Sequence, residues 1–293
     1  MSAAEGRTLL VGANGMLGRD ILAALGDREV TATGRAELDV TDQAAVIDAT
    51  AGHDVVINAA AYTRVDDAES DGAAAYEVNA LGARNLATAA ARHGARLVQV
   101  STDYVFDGRA RIPYPEDARR APISAYGRTK AAGEEFVERI LPDRSYIVRT
   151  AWLYGAHGPN FARTMLALAA ARDTWAVVDD QRGQPTWTGD LARAIVSLLD
   201  SDAPAGIYHG TSSGETTWYG FARELLAASG LDPDRITPTD SSQFPRPAPR
   251  PAYSVLGHDA WRSAGLAPIR AWDEALAAAV AAGVFADDET DGA

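Results

Sequence analysis

The sequence contains a single lysine, Lys130, which follows Tyr126 by four positions; the rest of the 27 lysine and arginine residues are arginine. Arginine is a broad planar fork, whereas lysine ends in a compact ammonium group with three donors. On a helix, side chains four positions apart share a face. A nearby ammonium favours the phenolate, which would lower the pKa of Tyr126 from its ordinary value of about 10. The pair predicts acid–base chemistry at Tyr126; the alternative is an exposed lysine on an amphipathic helix.

The composition limits the classes of partner. The 293 residues include 47% hydrophobic and 23% charged residues, as is typical of a globular protein, with no apolar run of the roughly 20 residues that a membrane span needs. A net charge of -13 argues against nucleic acid and anionic membranes as partners. The absence of cysteine excludes disulfides and thiolate chemistry. With no signal-peptide pattern at its start, the chain is predicted to be cytoplasmic. Its many aspartates and its scarcity of lysine indicate salt adaptation or, alternatively, a GC-rich genome.

The elements that position Tyr126 and Lys130 follow from hydrophobic periodicity. In the first half, β-branched runs alternate with alanine-rich amphipathic stretches, which predicts a parallel sheet with helices on both faces. The predicted strands there are 8–12, 29–33, 54–59, 96–101 and 146–150, and the helices are 16–25, 43–49, 73–93 and 126–140. Further helices are predicted at 161–172, 190–199, 217–229 and 272–282, with strands at 175–178 and 206–209.

A glycine-rich turn, Gly12-Ala13-Asn14-Gly15-Met16-Leu17-Gly18, joins the first strand to the first helix. Glycines at this position allow a tight turn and let backbone amides approach a pyrophosphate at the helix N-terminus. The spacing is Gly-x-x-Gly-x-x-Gly, and the alternative is an ordinary glycine turn. We interpret the fold as α/β, a Rossmann-type doubly wound parallel sheet with a smaller mixed α/β C-terminal substrate-binding region. The predicted division is a dinucleotide-binding domain at 1–150, a substrate-binding region interleaved with it at 151–285, and a disordered acidic tail at 286–293.

The end of the second strand is expected to face the adenosine ribose. The sequence there is Thr33-Gly34-Arg35, and a guanidinium favours a 2′-phosphate and hence NADPH. In the alternative, Arg35 stacks over adenine, and NADH is then usable as well. Asp39 and Val40 are placed to flank the adenine, whereas Asp42 can equally be a helix cap.

Several segments together resemble a known family. The glycine turn, Asn58-Ala59-Ala60-Ala61, the segment 101–108 and Tyr126-x-x-x-Lys130 occur in the order and spacing of extended short-chain dehydrogenase/reductases. Within that superfamily the chain most resembles the dTDP-4-dehydrorhamnose reductases, over about residues 8–282. The narrower markers are 58–66, 101–108, 150–155, 180–186 and 250–254.

The resemblance implies an oxidoreductase of dTDP-rhamnose biosynthesis that uses NADPH, with NADH as the alternative cofactor, to reduce the 4-keto group of the nucleotide-sugar dTDP-4-dehydro-L-rhamnose. Tyr126 would protonate the carbonyl oxygen, Lys130 would hold the nicotinamide ribose, and Thr102 would hydrogen-bond the same carbonyl oxygen; these three are the predicted catalytic residues. The predicted cofactor-binding residues are Gly12, Asn14, Gly15, Met16, Leu17, Arg35, Asp39, Val40, Ala60, Ala61, Tyr62, Asn79, Tyr126 and Lys130. Asn79 would support the lysine through water, unless it is a helix-packing residue.

The resemblance also implies a site for the sugar nucleotide. The predicted substrate-binding residues are Thr102, Asp103, Trp152, Gln181, Arg182 and Arg250. Trp152 can instead belong to the core. Arginine is the natural bidentate partner for a diphosphate.

Two departures from family patterns bear on function. Related 4,6-dehydratases carry Thr-Asp-Glu where this chain has Thr102-Asp103-Tyr104, so the acid for elimination is missing, and Tyr62 stands where the reductases often have histidine. Members can form dimers through a metal bridged by glutamates, but the glycine turn offers none, so we predict no metal site and leave a homodimer possible. The alternatives are another nucleotide-sugar 4-ketoreductase or epimerase, or a non-catalytic regulatory subunit of the methionine adenosyltransferase type.

Overall fold

The computed structural model describes residues 6–286. Its strands are β1 (Thr8–Val11), β2 (Val30–Thr33), β3 (Val55–Asn58), β4 (Arg96–Thr102), β5 (Ser145–Thr150), β6 (Leu153–Tyr154), β7 (Trp175–Val178), β8 (Arg182–Gly183), β9 (Thr186–Trp187), β10 (Gly206–His209), β11 (Thr216–Thr217) and β12 (Ile236–Thr239). Its helices are α1 (Met16–Leu25), α2 (Gln43–Thr50), α3 (Gly72–Tyr76), α4 (Gly82–His93), α5 (Ala125–Ile140), α6 (Phe161–Ala171), α7 (Thr188–Asp200), α8 (Trp218–Ala228), α9 (Asp259–Ser263) and α10 (Trp272–Ala281).

Six parallel strands form the central sheet in the order β10-β5-β4-β3-β1-β2. Alternate strand residues enter two apolar cores. Leu10 and Ile57 belong to the core that includes α1 and α7, while Leu9 and Val56 belong to the one that includes α2, α4 and α5. Covering both faces explains why these strands are almost continuously apolar, and the predicted doubly wound α/β class is confirmed.

Most predicted elements are confirmed within two residues of their ends. The predicted helix 73–93 is interrupted, because a π-helical turn at Glu77–Leu81 separates α3 from α4. This turn carries Asn79. Such π-turns are frequent at functional sites. The predicted cap at Asp42 is confirmed, since its side chain accepts hydrogen bonds from Ala44 N and Ala45 N.

The second half of the chain contributes both to the sheet and to a separate core. Strand β10 pairs in parallel with β5 and so extends the central sheet. A third apolar cluster combines residues of α6, α8 and α10, among them Phe221, Leu225 and Leu276. The division at residue 150 and the substrate-binding role of 151–285 remain predictions. The predicted tail at 286–293 lies outside the described residues except for its first position. No helix within residues 6–286 is long and apolar enough to cross a membrane.

Candidate active site

Helix α5 presents Tyr126 and Lys130 to the end of strand β4. The helix begins at a well-made cap, because Ser124 accepts a hydrogen bond from Gly127 N at 3.1 Å. The half-buried Tyr126 ring packs edge-on against Tyr104, with centroids 5.6 Å apart and planes at 76°. Tyr126 and Lys130 therefore lie one turn apart on the same helix, as the sequence predicts.

The side chain of Thr102 lies next to the Tyr126 hydroxyl, and Thr102 Oγ1 donates to Asp103 Oδ1 at 3.0 Å. Burial raises the pKa of Tyr126 above its ordinary value, while the neighbouring Thr102 hydroxyl acts in the opposite direction and is the smaller effect. This direction is opposite to the one expected from the Tyr-x-x-x-Lys spacing. The phenol is consequently protonated at neutral pH and is suited to donate a proton.

Lys130 is almost completely buried, with 4% of its surface exposed. Its ammonium donates to the carbonyl oxygen of Val100 on β4 at 2.7 Å. Burial lowers the pKa of Lys130 to about 8, and the nearby Glu134 carboxylate partly opposes this change. The ammonium group is held by the strand, and burial sets the direction of the Tyr126 pKa change.

A buried ionic cluster below Lys130 was not predicted. The Glu134 carboxylate accepts from Arg149 Nη2 at 2.7 Å and from Arg120 Nη1 at 2.9 Å, and the hydroxyl of Ser101 also donates to it. These charges hold the pKa of Glu134 below its ordinary value against the effect of burial. The cluster joins α5 to β4 at the residue before Thr102. Its only sequence signal was an acid one helical turn after Lys130.

Asn79 connects the π-helical turn to two neighbouring segments. Its Nδ2 donates to Tyr62 O at 3.1 Å and to Thr129 Oγ1 at 3.0 Å, while its Oδ1 accepts from Tyr62 N at 2.9 Å. These bonds fix the loop after β3 against α5. The structure thus places Asn79 as a packing link between the Tyr62 loop and the helix of Lys130.

The glycine turn lies against the loop that follows β3. Gly12 has a φ of 81°, and a Cβ added there would lie 2.6 Å from Ala60 N, so only glycine fits. Gly15 is the N-cap of α1, and no side chain caps the backbone amides of the first helical turn. Met16 lies 3.8 Å from Asn160 Nδ2, and Leu17 is buried in the core.

The other predicted cofactor residues lie along the adjacent strand ends. Arg35 is exposed, whereas Asp39 binds Thr41 N at 2.9 Å and its Oγ1 at 2.8 Å, which lowers the pKa of Asp39. Val40 is buried. Ala60, Ala61 and Tyr62 follow β3, where each is partly buried.

Asp103 lies at the end of β4 and is 1% exposed. Its carboxylate accepts from Thr102 Oγ1 at 3.0 Å, and the side chain of Ser254 lies near it. Its Oδ2 meets no hydrogen-bond partner among the described residues. Burial raises the pKa of Asp103 to about 6. Ser254 N donates to Arg182 O at 2.9 Å, so Ser254 lies near both of these predicted substrate residues.

Trp152 stacks on Trp218, with ring centroids 3.5 Å apart and planes at 8°. Both rings are half-buried, and Trp152 has a φ of 49°, an unfavourable conformation that costs about 1–3 kcal/mol and is concentrated at functional sites. Trp218 Nε1 donates to Gln181 Oε1 at 3.1 Å, and Gln181 donates to Ser241 Oγ at 2.8 Å. Trp218 was not predicted; its partner lies 66 positions away in the sequence, and no local pattern links them.

The two predicted arginines are already engaged by acids. Arg250 Nη2 donates to Asp66 at 2.9 Å, and its guanidinium carbon lies 5.9 Å from the Tyr104 ring centroid. Its Nη1 is buried and has no partner among residues 6–286. Arg182, which is exposed, pairs with Glu215 at 3.1 Å. Arg250 is therefore the arginine that lies over Tyr104, the ring that packs against Tyr126.

No group of three or more histidine and acidic residues within the described part of the chain is arranged to hold a metal ion. The predicted absence of a metal site remains a prediction.

Comparison with known proteins identifies the family. The family model described as RmlD substrate binding domain matches residues 6–284. A protein named dTDP-4-dehydrorhamnose reductase from Streptomyces griseus is 53% identical over 278 residues, 92% of this chain and 91% of that protein. A protein named dTDP-4-keto-6-deoxy-D-glucose reductase from Streptomyces niveus is 52% identical over 274 residues, 92% of this chain and 95% of that protein. The solved structure of a dTDP-4-dehydrorhamnose reductase from Bacillus anthracis in complex with NADP superposes with a TM-score of 0.91 at 36% identity, covering 95% of this chain and 99% of that one. The chain therefore belongs to the RmlD family, that of the dTDP-4-dehydrorhamnose reductases.

Proposed function

We propose that this chain is an NADPH-dependent oxidoreductase that reduces the 4-keto group of dTDP-4-dehydro-L-rhamnose to give dTDP-L-rhamnose. The observation that carries the proposal is the meeting of three groups at the end of β4: the neighbouring side chains of Tyr126 and Thr102, and the ammonium of Lys130, which is bonded to Val100 O one helical turn away from Tyr126. Family membership and the NADP-bound Bacillus anthracis relative support the reaction and the cofactor.

The glycine turn fits a dinucleotide. The close contact of Gly12 with the Ala60 backbone and the uncapped start of α1 at Gly15 form a cradle without side chains, as a pyrophosphate requires. Asn14, Met16 and Leu17 would complete this wall, and Arg35 would face the 2′-phosphate. When bound, NADPH supplies the hydride.

The residues of α5 and β4 would donate the proton to the carbonyl oxygen and stabilise the negative charge that develops on it. Because burial keeps Tyr126 protonated, its hydroxyl donates to the carbonyl oxygen as that oxygen gains charge. Thr102 stabilises the same oxygen through a hydrogen bond. Lys130 uses one donor on Val100 O, which leaves two for ribose hydroxyls. Asn79 holds the Tyr62 loop in place beside them.

The sugar nucleotide would lie between the β4 end and the loops of the second half. Asp103 offers an unpartnered buried oxygen to a sugar hydroxyl, and Trp152 presents an aromatic face supported by Trp218. Arg250, with its unpartnered Nη1, would bind a diphosphate oxygen, and Gln181 and Arg182 would also contact the sugar nucleotide.

A second candidate is the reduction of a related dTDP-4-keto-6-deoxyhexose to a different product. The Streptomyces niveus relative, at 52% identity, is named for such a substrate. The two reactions differ in the configuration of the sugar, which a few pocket contacts decide. An epimerase or a regulatory subunit has no comparable support in this site.

The test is an absorbance assay of NADPH oxidation with dTDP-4-dehydro-L-rhamnose, with dTDP-4-keto-6-deoxy-D-glucose and the GDP- and UDP-linked analogues alongside. We expect the fastest turnover with the L-rhamnose precursor and expect magnetic resonance to identify dTDP-L-rhamnose as product. Faster turnover of the D-glucose derivative would replace the first candidate with the second. No turnover of any sugar, at low or at molar salt, would overturn both.

We also propose that the protein acts in the cytoplasm, and a homodimer stays possible. The supporting feature is that the relatives are named as reductases of nucleotide sugars. Sedimentation analysis of the purified chain measures its oligomeric state.

A further inference from the structure

We infer that Glu37 determines the choice between the two nicotinamide dinucleotides in this chain, by accepting from the 2′-hydroxyl of NADH and opposing the 2′-phosphate of NADPH. The inference rests on the proposed function only in that a nicotinamide dinucleotide binds at the glycine turn. It differs from the sequence-based expectation, in which Arg35 alone decides.

The turn after β2 folds back on itself and places the Glu37 carboxylate at the end of that strand. Gly34 N donates to Glu37 Oε2 at 2.8 Å, and Leu38 N donates to Gly34 O at 3.0 Å. A Cβ added to Gly34 would lie 2.2 Å from Asn14 Nδ2 and 2.9 Å from Glu37 Oε2. These two side chains therefore occupy the space that a side chain at position 34 would fill.

The end of β2, where the Glu37 carboxylate lies, is adjacent to the dinucleotide cradle at the glycine turn. Gly12 N and Ala13 N donate to Thr33 O at 2.8 and 3.0 Å, so the end of β2 is bonded directly to the glycine turn. In doubly wound sheets an acid near the end of the second strand accepts from the adenosine ribose hydroxyls. Here the strand ends in Thr33-Gly34 without an acid, and Glu37 supplies a carboxylate from the next turn.

The Glu37 carboxylate can accept a further hydrogen bond from a ligand. Within residues 6–286, Glu37 Oε1 makes no hydrogen bond and Glu37 forms no ion pair within 4.0 Å. The neighbouring acid Asp39 differs, because its Oδ1 binds both Thr41 N and Thr41 Oγ1. Glu37 is thus the acid of this turn whose outer oxygen can accept from a ribose.

Arg35 acts in the opposite direction. It is exposed and forms no ion pair with an acid in the described chain, so its guanidinium is available to a 2′-phosphate. A fixed negative charge two residues away repels the same phosphate. The turn therefore contains one group that favours each dinucleotide, and the chain is expected to bind both.

The experiment measures the Kd of NADPH and of NADH by nicotinamide fluorescence titration, without sugar substrate, for the wild type, Glu37→Gln and Arg35→Ala. Glutamine keeps an oxygen for Gly34 N but removes the charge. In Glu37→Gln we expect NADPH to bind about 10-fold more tightly, because the charge that repels the 2′-phosphate is removed. We expect NADH to bind a few-fold more weakly, because a neutral group replaces the charged acceptor of the 2′-hydroxyl. In Arg35→Ala only NADPH should weaken, by about 10-fold. Asp48→Asn, an exposed acid on α2, is the matched control and should change neither Kd.

The ratio of the two Kd values separates a specific role from a structural one. A variant that distorts the turn weakens both dinucleotides together and leaves the ratio unchanged; that outcome for Glu37→Gln, or a change in ratio below about twofold, overturns the inference. If the wild type binds both dinucleotides but reduces no sugar, the proposed function fails while the Kd ratio still decides the role of Glu37. Unfolding curves of each variant show whether the fold is intact.

Discussion

Replacing Lys130 by methionine is the most informative single change, because it separates the role of the ammonium in catalysis from its effect on stability. Methionine is unbranched and similar in length, so the buried space stays filled. We expect Lys130→Met to lack reductase activity and yet to be more stable than the wild type near pH 7. The reason is that burial lowers the pKa of Lys130 from 10.5 to about 8, so the folded protein keeps a charge where water is excluded.

The size of the effect follows from that pKa. A fall from 10.5 to about 8 corresponds to roughly 3 kcal/mol of destabilisation at pH values below 8, at about 1.36 kcal/mol per pH unit. Removing the ammonium also takes the donor from Val100 O, which costs about 1 kcal/mol. The variant should therefore be more stable by roughly 2 kcal/mol at pH 7.

The advantage should disappear at higher pH, and its sign can be worked out. Below pH 8 the lysine is protonated in both the folded and the unfolded state, so the full cost applies. Between about pH 8 and 10.5 the folded state loses the proton while the unfolded state keeps it, so the wild type gains stability with rising pH. At about pH 9.5 the difference between the two proteins should fall below ~1 kcal/mol.

Urea unfolding of both proteins at the two pH values, without cofactor, measures this difference. All other titrating groups are shared, so their contributions cancel in the comparison. A gap that is the same at both pH values would refute the buried-charge reasoning. So would a variant less stable than the wild type at pH 7.

Three further predictions concern the site and its support. Tyr126→Phe should lower kcat by about 10²–10⁴-fold with the NADPH Kd almost unchanged, as measured by steady-state kinetics and fluorescence titration; retention of most activity would contradict the proton-donor role. Glu134→Gln should lower the free energy of unfolding by about 3–5 kcal/mol, because Arg149, whose side chain is 1% exposed, then lacks its carboxylate partner. Glu138→Gln, at the 40% exposed end of the same cluster, should cost less than ~1 kcal/mol, and equal losses would show that burial does not set the difference. Gly12→Ala should weaken NADPH binding at least ~10-fold and destabilise the fold more than Gly26→Ala, which shares a positive φ but has no atom within 4 Å of the added Cβ; matching results for the two variants in calorimetry and titration would exclude the close contact as the cause.

Local patterns in the sequence determined most of the fold. The strand and helix periodicities reflect contacts within a few residues, so the ends of α1, β7 and β10 match the predicted ranges. The Tyr126 to Lys130 spacing and the glycine turn are equally local, and each lies on the element predicted for it. The break at Glu77–Leu81 was missed because the surrounding alanines favour an uninterrupted helix.

The electrostatic character of the site needed the tertiary structure. Glu134, Arg149 and Ser101 come from three elements, and their cluster exists only because α5 packs on β4 and β5. The stacking of Trp152 on Trp218 and the return of Glu37 to Gly34 likewise depend on how loops meet. These contacts join residues whose separation in the sequence carries no periodic signal.

Lys130 illustrates what the sequence could predict and what required the tertiary structure. Its uniqueness and its distance from Tyr126 were visible in the sequence and indicated a chemical role. The direction in which the pKa values of Tyr126 and Lys130 change could not be predicted from the sequence. It depends on how completely the folded chain excludes water from both side chains. The sequence alone predicted which residues would meet, whereas burial and the Val100 carbonyl decided that Tyr126 is held protonated and that Lys130 is bound to the strand.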